Sequence, residues 1–346
     1  MGLFDSVLKD NESLFRDESA LDLDVMPPKI LSREYEHQYI ADCIKPLLQK
    51  RTGKNLFITG TPGIGKTVAT KSVLSELEQD ENIAAIYVNC WKKDSAHKIV
   101  LDVCDQLNYK YTISKTTEQL MGEISRILNK KACVIVFDEV DKLSSDAITI
   151  LYSFTEDIFR KTIILITNDK EFLSKLDRRI YSRLVAETFS FRPYTLEETY
   201  GILKDRTQRA FMSSIFNEEG LRKIAEKVFD VEDIRVGLYL LREAGTIAER
   251  KLKRKIELED AEEALSKTPE LKLRATDLLS EEQLSLLELI KNNSGKSTKE
   301  IHELYDPSLS YKTVFRRLKE LESDKFISIA EQNIGAGKQS FVHYVY

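Results

Sequence analysis

Short apolar runs alternate with longer amphipathic stretches over residues 1–192 of the chain. The runs are continuous rather than period-two, which predicts strands covered on both faces, and the stretches between them have helical periodicity. The predicted strands are 56–59, 84–89, 132–137, 162–167 and 186–191. The predicted helices are 34–48, 66–79, 96–107, 117–129, 146–159 and 170–183. This order predicts an α/β domain over residues 1–192, with a mostly parallel sheet and helices outside it.

The strand pattern stops after Pro193. Residues 193–270 are predicted to form a separate helical domain. Its helices are expected at 196–211, 218–229, 234–254 and 258–266. Residues 1–30 are mostly polar and acidic, and we expect them to form a linker that packs on the α/β domain.

A third pattern predicts a domain over residues 271–346. Three helices are expected, one ending near Asn292 and the others at 298–305 and 310–323. Two β-rich pieces follow at 326–330 and 340–346, and the segment between them contains two glycines. Three helices and a glycine-tipped hairpin are the outline of a winged helix-turn-helix.

The segment Gly60–Thr67 matches the phosphate-binding pattern G-x-x-x-x-G-K-[ST] without a mismatch. It lies between a predicted strand and a predicted helix, where backbone N–H groups and the helix N-terminus favour an anion. Lys66 is expected to reach the β- and γ-phosphates of a nucleotide, and the Thr67 hydroxyl to hold Mg²⁺. The predicted nucleotide contacts in this segment and at the residue after it are Thr61, Pro62, Gly63, Ile64, Gly65, Lys66, Thr67 and Val68.

Polar residues at the ends of two later strands predict nucleotide hydrolysis. Asp138 is expected to bind Mg²⁺ directly or through water, and Glu139 to orient and deprotonate the attacking water. Asp141 competes for the second role but lies further from the strand end. Asn168 ends the next strand, where its amide can hold the water between the γ-phosphate and Glu139.

Three arginines, Arg178, Arg179 and Arg183, cluster before the last predicted strand. An arginine there can be offered in trans to the γ-phosphate of a neighbouring subunit, where negative charge develops. Ordinary salt bridging explains any single one of them equally well.

The helix predicted at 310–323 has two chemically different faces when projected at about 100° per residue. One face is apolar and consists of Val314, Leu318 and Leu321; the opposite face carries Lys312, Arg316 and Lys319. A major-groove helix would meet DNA with such a basic face, although a solvated charged face has the same appearance. The predicted DNA contacts are Lys312, Thr313, Arg316, Arg317 and, in the hairpin, Lys338.

Composition restricts the classes of function that remain. The net charge of −5 gives no global signature of nucleic-acid binding, so such a surface must be local. Four scattered cysteines without a C-x-x-C pair predict buried reduced thiols, and the dispersed histidines argue against a metal site of their own. No apolar stretch has the length of a membrane span or a signal-peptide core, so we expect an intracellular protein without a membrane partner.

With these elements placed, the chain resembles an AAA+ ATPase and, within that group, the archaeal Orc–Cdc type replication initiators. The resemblance covers nearly the whole chain and implies an AAA+ domain, a helical lid domain and a C-terminal winged helix. Segments 60–67, 137–141 and 167–168 are similar to the Walker A, Walker B and sensor 1 motifs. Further similarity to the initiators lies in segments 14–34, 192–195, 202–206 and 233–241.

The resemblance implies roles for three more residues. By it, Tyr194 lies beside the adenine, Arg206 lines the nucleotide from a lid helix, and Arg235 of the sensor 2 segment leans onto the phosphates. It also implies ATP or ADP with Mg²⁺ as cofactors, and weak ATPase activity. The implied function is ATP-dependent replication initiation, with origin duplex DNA bound through the winged helix and the AAA+ domain. The implied partners are other initiator paralogues and an MCM-type helicase that the protein helps to load, with slow ATP hydrolysis as the switch. The implied location is the archaeal cytoplasm, at the nucleoid.

Three departures from the family pattern affect these implications. Segment 177–184 lacks the usual Asp-Pro-Arg-x-x-Ser-Ser-Leu, so the arginine finger is Arg179 or Arg183, and Arg183 is preferred because it follows a serine. Glu232 replaces the usual glycine of sensor 2. The initiator-specific insertion near 108–116 lacks its Arg-Gly signature, which leaves DNA contact by the AAA+ domain open and is compatible with a divergent or accessory paralogue.

Two other functions fit the same residues. A regulatory P-loop ATPase would use its winged helix on a promoter or a protein, and would neither melt origin-like DNA nor recruit a hexameric helicase. A clamp-loader-like factor would be an obligate oligomer with robust turnover, and a monomer that retains ADP through purification argues against it.

Overall fold

The computed structural model describes residues 13–23, 25–77, 82–266, 281–306, 309–323, 326–334 and 337–344. The chain divides into two compact units between Leu265 and Ser266. The first unit contains the α/β elements and the helices predicted as the lid, and the second contains the C-terminal helices and hairpin.

A parallel sheet forms the core of the first unit, with the strand order β2-β3-β4-β1-β5. Its strands are β1 (Leu56–Thr59), β2 (Ile83–Asn89), β3 (Ala132–Asp138), β4 (Lys161–Thr167) and β5 (Glu187–Ser190). Strands β1 and β3 are buried along their whole length because helices cover both faces, as their continuous apolar runs predict. The carboxyl ends of β1, β3 and β4 lie at one edge of the sheet and place their polar residues together.

The helices around the sheet are α1 (Glu34–Leu48), α2 (Lys66–Leu77), α3 (Ala96–Gln106), α4 (Thr117–Leu128), α5 (Ser145–Glu156), α6 (Phe172–Lys175) and α7 (Arg178–Leu184). The single helix predicted at 170–183 is wrong, because the chain forms two short helices there. Asp177 accepts a hydrogen bond from the backbone N–H of Arg179 and so caps a new helix. The predicted helix 146–159 also ends early, at Glu156.

Four helices follow the sheet and form the lid: α8 (Leu196–Ala210), α9 (Glu218–Val231), α10 (Ile234–Arg250) and α11 (Leu258–Ser266). Helix α8 begins with a capping box between Thr195 and Glu198. Helix α10 ends at Arg250 rather than at the predicted residue 254, and Leu252 just beyond it has a positive φ of 55°.

The segment before α1 packs on the lid. Leu14 and Leu21 are buried in the lid core, and Phe15 forms an isolated bridge with Phe211, their ring centroids 4.8 Å apart. Phe15 lies against Gly245, where a Cβ would come within 2.5 Å of the phenyl ring. The expectation that this segment packs on the α/β domain is therefore wrong for residues 14–21.

The second unit consists of α12 (Glu281–Asn292), α13 (Thr298–Tyr305), α14 (Tyr311–Ser323) and an antiparallel hairpin of β6 (Ile327–Ile334) and β7 (Gly337–Tyr344). The hairpin strands are each longer at the turn than predicted, because they pair as far as Ile334 and Gly337. Val314, Leu318 and Leu321 are buried, as the projection of this helix predicts. This is the arrangement of the predicted winged helix.

Candidate nucleotide site and DNA-facing helix

The side chain of Lys66 is hydrogen-bonded to the backbone of its own phosphate loop. Its ammonium Nζ donates to the carbonyl oxygens of Gly60 (2.7 Å) and Thr61 (2.9 Å) and to Asn168 Oδ1 (2.7 Å). Burial lowers the pKa of Lys66 to about 8, although the nearby carboxylates oppose this effect. The loop and the end of β4 therefore hold a cation at the point where the motif places the β- and γ-phosphates.

Asp138, at the end of β3, accepts three hydrogen bonds. It is 1% exposed, and its Oδ2 accepts from both the Thr67 hydroxyl and the Tyr87 hydroxyl, each at 2.6 Å. Its Oδ1 accepts from the backbone N–H of Glu139 at 2.9 Å. Sequence reasoning missed Tyr87; the available signal was a phenol among the apolar residues of strand β2.

Glu139 has the left-handed backbone conformation, with φ of 53°. For a residue with a Cβ this conformation costs roughly 1–2 kcal/mol, and such strain is often found at functional positions. Asn168 Nδ2 lies 3.4 Å from Glu139 Oε2, so the two side chains predicted to share a water are neighbours. Burial, followed by the charges of Asp138 and Asp141, raises the pKa of Glu139, which suits a general base.

Asp141, the competing candidate base, is engaged elsewhere. Its Oδ1 accepts from the Thr167 hydroxyl at 2.5 Å, and its Oδ2 lies 3.1 Å from Lys142 Nζ. This geometry favours Glu139 for the base.

The residues present fit Mg²⁺ only in combination with a phosphate. Thr67 and Asp138 supply the hard oxygen donors that Mg²⁺ prefers, and Mg²⁺ commonly takes its remaining ligands from water and substrate phosphates. Within the described ranges there is no group of three or more His, Cys, Asp or Glu residues able to hold a metal ion by itself.

The lid reaches the phosphate loop through Asp233 and Arg235. Arg235 donates from Nε and Nη2 to the carboxylate of Asp233, with a shortest distance of 2.6 Å, and this bond raises the pKa of Arg235. The backbone N–H of Ile234 is 3.4 Å from the carbonyl oxygen of Gly63 in the loop. The structure therefore brings Arg235 to the loop, paired with a carboxylate.

Tyr194 also lies at the loop, where it is already stacked. The guanidinium carbon of the fully buried Arg33 is 3.9 Å from the Tyr194 ring centroid. Arg33 Nη2 donates to the carbonyl oxygens of Ile64 and Arg192, both at 2.8 Å. The site residues predicted from the sequence do not include Arg33, although segment 14–34 carries part of the resemblance, because sequence alone does not show that a charged side chain is buried.

Arg206 has contacts of a different kind from those expected. It is 8% exposed, and Nη1 donates to the carbonyl oxygens of Ala20 (2.8 Å) and Val25 (3.4 Å). These bonds tie the N-terminal segment to α8. Its contact with a nucleotide stays a prediction.

Both candidate arginine fingers are exposed on α7. Arg183 Nε lies 3.3 Å from Glu156 Oε2 with 57% of the side chain exposed, and Arg179 is exposed as well. Exposure suits a residue that acts on a neighbouring subunit, and the choice between the two stays a prediction.

The predicted DNA-binding residues fall into three groups. Lys312 and Arg316 are exposed on α14, with 67% of the Arg316 side chain accessible although it pairs with Glu320, and Thr313 is bonded to Ser310. Arg317 instead has 13% of its side chain exposed and donates to Glu282 of α12, which favours a packing role over DNA contact. The backbone of Lys338 pairs with Asn333, and its side chain lies outside the described residues.

Comparison with known proteins places this arrangement in a family. Residues 49–176 match the model of the AAA domain family, and residues 200–266 match that of the Cdc6 AAA+ ATPase-type lid domain. ORC1-type DNA replication protein 2 of Archaeoglobus fulgidus is 27% identical over 355 residues, covering 99% of this chain and 94% of the relative. ORC1-type DNA replication protein 1 of Sulfurisphaera tokodaii is 33% identical over 263 residues, covering 72% of this chain and 66% of the relative. The chain belongs to the ORC1-type family of DNA replication proteins.

A solved structure has a similar fold over nearly the whole of this ORC1-type chain. The Aeropyrum pernix Orc1 protein in complex with DNA superposes with a TM-score of 0.75 at 23% identity, over 96% of this chain and 94% of that one. The relatives and the family models confirm the predicted family. The structural likeness confirms the predicted fold, an AAA+ domain with a helical lid and a C-terminal winged helix. No helix in the described ranges has the combined length and apolarity needed to cross a bilayer.

Proposed function

We propose that this ORC1-type protein is an ATP-dependent replication initiator that binds origin duplex DNA and helps to load an MCM-type helicase. One observation carries the proposal: Lys66, Asp138 and Glu139 share an edge of the sheet, and Arg235 of the lid lies at the same loop. A nucleotide bound there contacts sheet and lid at once, so its presence and its γ-phosphate set the position of the lid.

The chemistry of the site follows from these groups. Lys66 would exchange loop carbonyl oxygens for phosphate oxygens. Thr67 and Asp138 would hold Mg²⁺, which would supply positive charge for the phosphates. Glu139 takes the proton of a water that Asn168 helps to orient. Turnover in an isolated chain is weak, because Arg235 is already paired with Asp233 and the finger, Arg183 or Arg179, acts only on a neighbour.

DNA binding is assigned to the exposed basic face of α14. Lys312 and Arg316 reach the duplex, Thr313 adds a hydroxyl near the start of the helix, and Lys338 of the hairpin contacts the neighbouring groove or its phosphates. Arg317 supports this helix from the other side through Glu282.

A binding measurement tests this assignment. The variant Lys312→Ala/Arg316→Ala should bind origin duplex at least tenfold more weakly in fluorescence anisotropy, and its log–log salt slope should fall by about 0.9 for each phosphate that the protein no longer neutralises. Lys223→Ala/Lys227→Ala on α9 removes the same charge from the lid and is the matched control. Equal affinity of the two double variants for the duplex would show that α14 is not part of the DNA interface.

The initiator role needs a separate experiment. Genomic duplex fragments captured by the full chain with ATP should be enriched in origins, and MCM-type helicase should co-purify only in the presence of ATP. Lys66→Ala should lose the helicase. Capture of promoters without helicase would favour the regulatory ATPase instead.

A further inference from the structure

The hydroxyl groups of Tyr87 and Thr67 both donate hydrogen bonds to Oδ2 of Asp138. The carboxylate Oδ2 receives the Tyr87 and Thr67 hydroxyls, each at 2.6 Å, while among the described residues Oδ1 receives only the backbone N–H of Glu139. An ionised carboxylate offers about four acceptor positions, two on each oxygen. Oδ2 is therefore fully occupied, and Oδ1 retains one free position.

Tyr87 is held at both its ring and its backbone. Lys71 of α2 places Nζ 4.3 Å from the ring centroid. Strand β2 lies at the edge of the sheet, and the Gln106 carboxamide of α3 takes the place of a neighbouring strand there. Its Nε2 donates to the Tyr87 carbonyl oxygen at 2.8 Å, and its Oε1 accepts from the Tyr87 N–H at 2.9 Å. Such pre-orientation is typical of residues that support metal ligands.

We infer that Tyr87 is a positioning residue for the Mg²⁺ site. By occupying Oδ2 together with Thr67, it leaves Oδ1 as the oxygen with capacity for the metal or a metal-bound water, and it prevents the carboxylate from rotating. The inference rests on the proposed function, since it concerns the metal that accompanies ATP. It goes beyond that function by assigning a metal-tuning role to a residue outside the phosphate loop and the acid pair.

Magnesium titration of ATP binding tests the inference. For Tyr87→Phe, the Mg²⁺ concentration that half-saturates binding of a fluorescent ATP analogue should rise about tenfold, the lower end of the effect of losing an outer-shell partner. ATP affinity in EDTA should stay unchanged, because no phosphate contact is removed. Tyr39→Phe is the matched control: its hydroxyl also bonds a carboxylate, Glu187 Oε2 at 3.1 Å, but on β5 at the opposite edge of the sheet.

Two further variants separate positioning from general stability. Gln106→Ala keeps the hydroxyl but removes the backbone clamp, so it should shift the Mg²⁺ midpoint in the same direction by a smaller factor. In an Asp138→Asn background, Tyr87→Phe should have no further effect on that midpoint. An unchanged midpoint in Tyr87→Phe, with a melting temperature lowered as in Tyr39→Phe, overturns the inference but not the proposed function. Absence of Mg²⁺-dependent ATP binding in the parent overturns both.

Discussion

Asp233 lies directly against Gly63 at the tip of the phosphate loop. A Cβ built on Gly63 would come within 2.1 Å of Asp233 Oδ1, and the same oxygen accepts from Arg235 Nε at 2.9 Å. The lid thus meets the loop through a carboxylate, which repels the anion that the loop is suited to hold. Asp233 also caps α10 by accepting from the backbone N–H of Arg235, so the lid helix and the loop are linked through one side chain.

Gly63→Ala should weaken both the fold and nucleotide binding. The position has φ of 76° and no space for a Cβ, so we expect a loss of about 1–3 kcal/mol in the free energy of unfolding, measured by urea denaturation. ATP affinity measured by calorimetry should fall in parallel, since relief of the clash displaces Asp233 or the loop. Gly122→Ala is the control, because a Cβ there meets nothing within 4 Å and the position is inside α4. It should stabilise the protein by about 0.5–1 kcal/mol, and similar changes in both variants would contradict the close contact.

Asp233→Asn should strengthen ATP binding. Asparagine caps a helix about as well as aspartate, so α10 keeps its start, but Arg235 loses the charge that holds it. We expect a roughly threefold to tenfold gain in ATP affinity, the scale of the net contribution of one ordinary hydrogen bond. The gain for ADP should be smaller, since the γ-phosphate is proposed to set the position of the lid that carries Arg235. In an Arg235→Gln background the gain should shrink, and weaker ATP binding by Asp233→Asn would show that the carboxylate assists the site.

The sequence predicts the nucleotide site best where the function of a residue depends only on its spacing from its neighbours in the chain. Gly60–Thr67 forms its loop from local backbone requirements, and Asp138 and Asn168 end strands whose parallel pairing brings them to one edge. Tyr87 and Asp233 could not be assigned in this way, because their roles depend on contacts across the sheet or between lid and loop. The packing of Phe15 on the lid was not predicted for the same reason. In the sequence, the apolar residues of that segment suit packing on the α/β domain and on the lid equally well.

Lys66 should make ATP binding dependent on pH. Burial lowers its pKa to about 8 from 10.5, so in the nucleotide-free protein its ammonium loses the proton as pH rises through 8. A bound triphosphate favours the charged form and raises this pKa again. Binding should therefore take up a proton between about pH 8 and 10.5, and ATP affinity should fall as pH rises through that range.

Calorimetry in buffers of different ionisation enthalpy measures that proton directly. Lys66→Arg is the control, because a guanidinium keeps its charge throughout this range. Its binding should show no proton uptake and little pH dependence, whatever its absolute affinity. Proton release by the parent would mean that another group controls the linkage.

Glu139→Gln should stop hydrolysis while ATP binding remains. The amide cannot accept the proton of the attacking water, so the single-turnover rate should fall by about 10²- to 10⁴-fold. Since burial raises the pKa of Glu139, the parent's rate should rise with pH as this carboxyl ionises, and the variant should lack that limb. Asp141→Asn is the informative comparison, because Asp141 is already engaged by Thr167 and Lys142 and should affect the rate far less. If Asp141→Asn removes the pH limb and Glu139→Gln preserves it, the base is Asp141, and the strained backbone of Glu139 serves only to turn the chain at the end of β3.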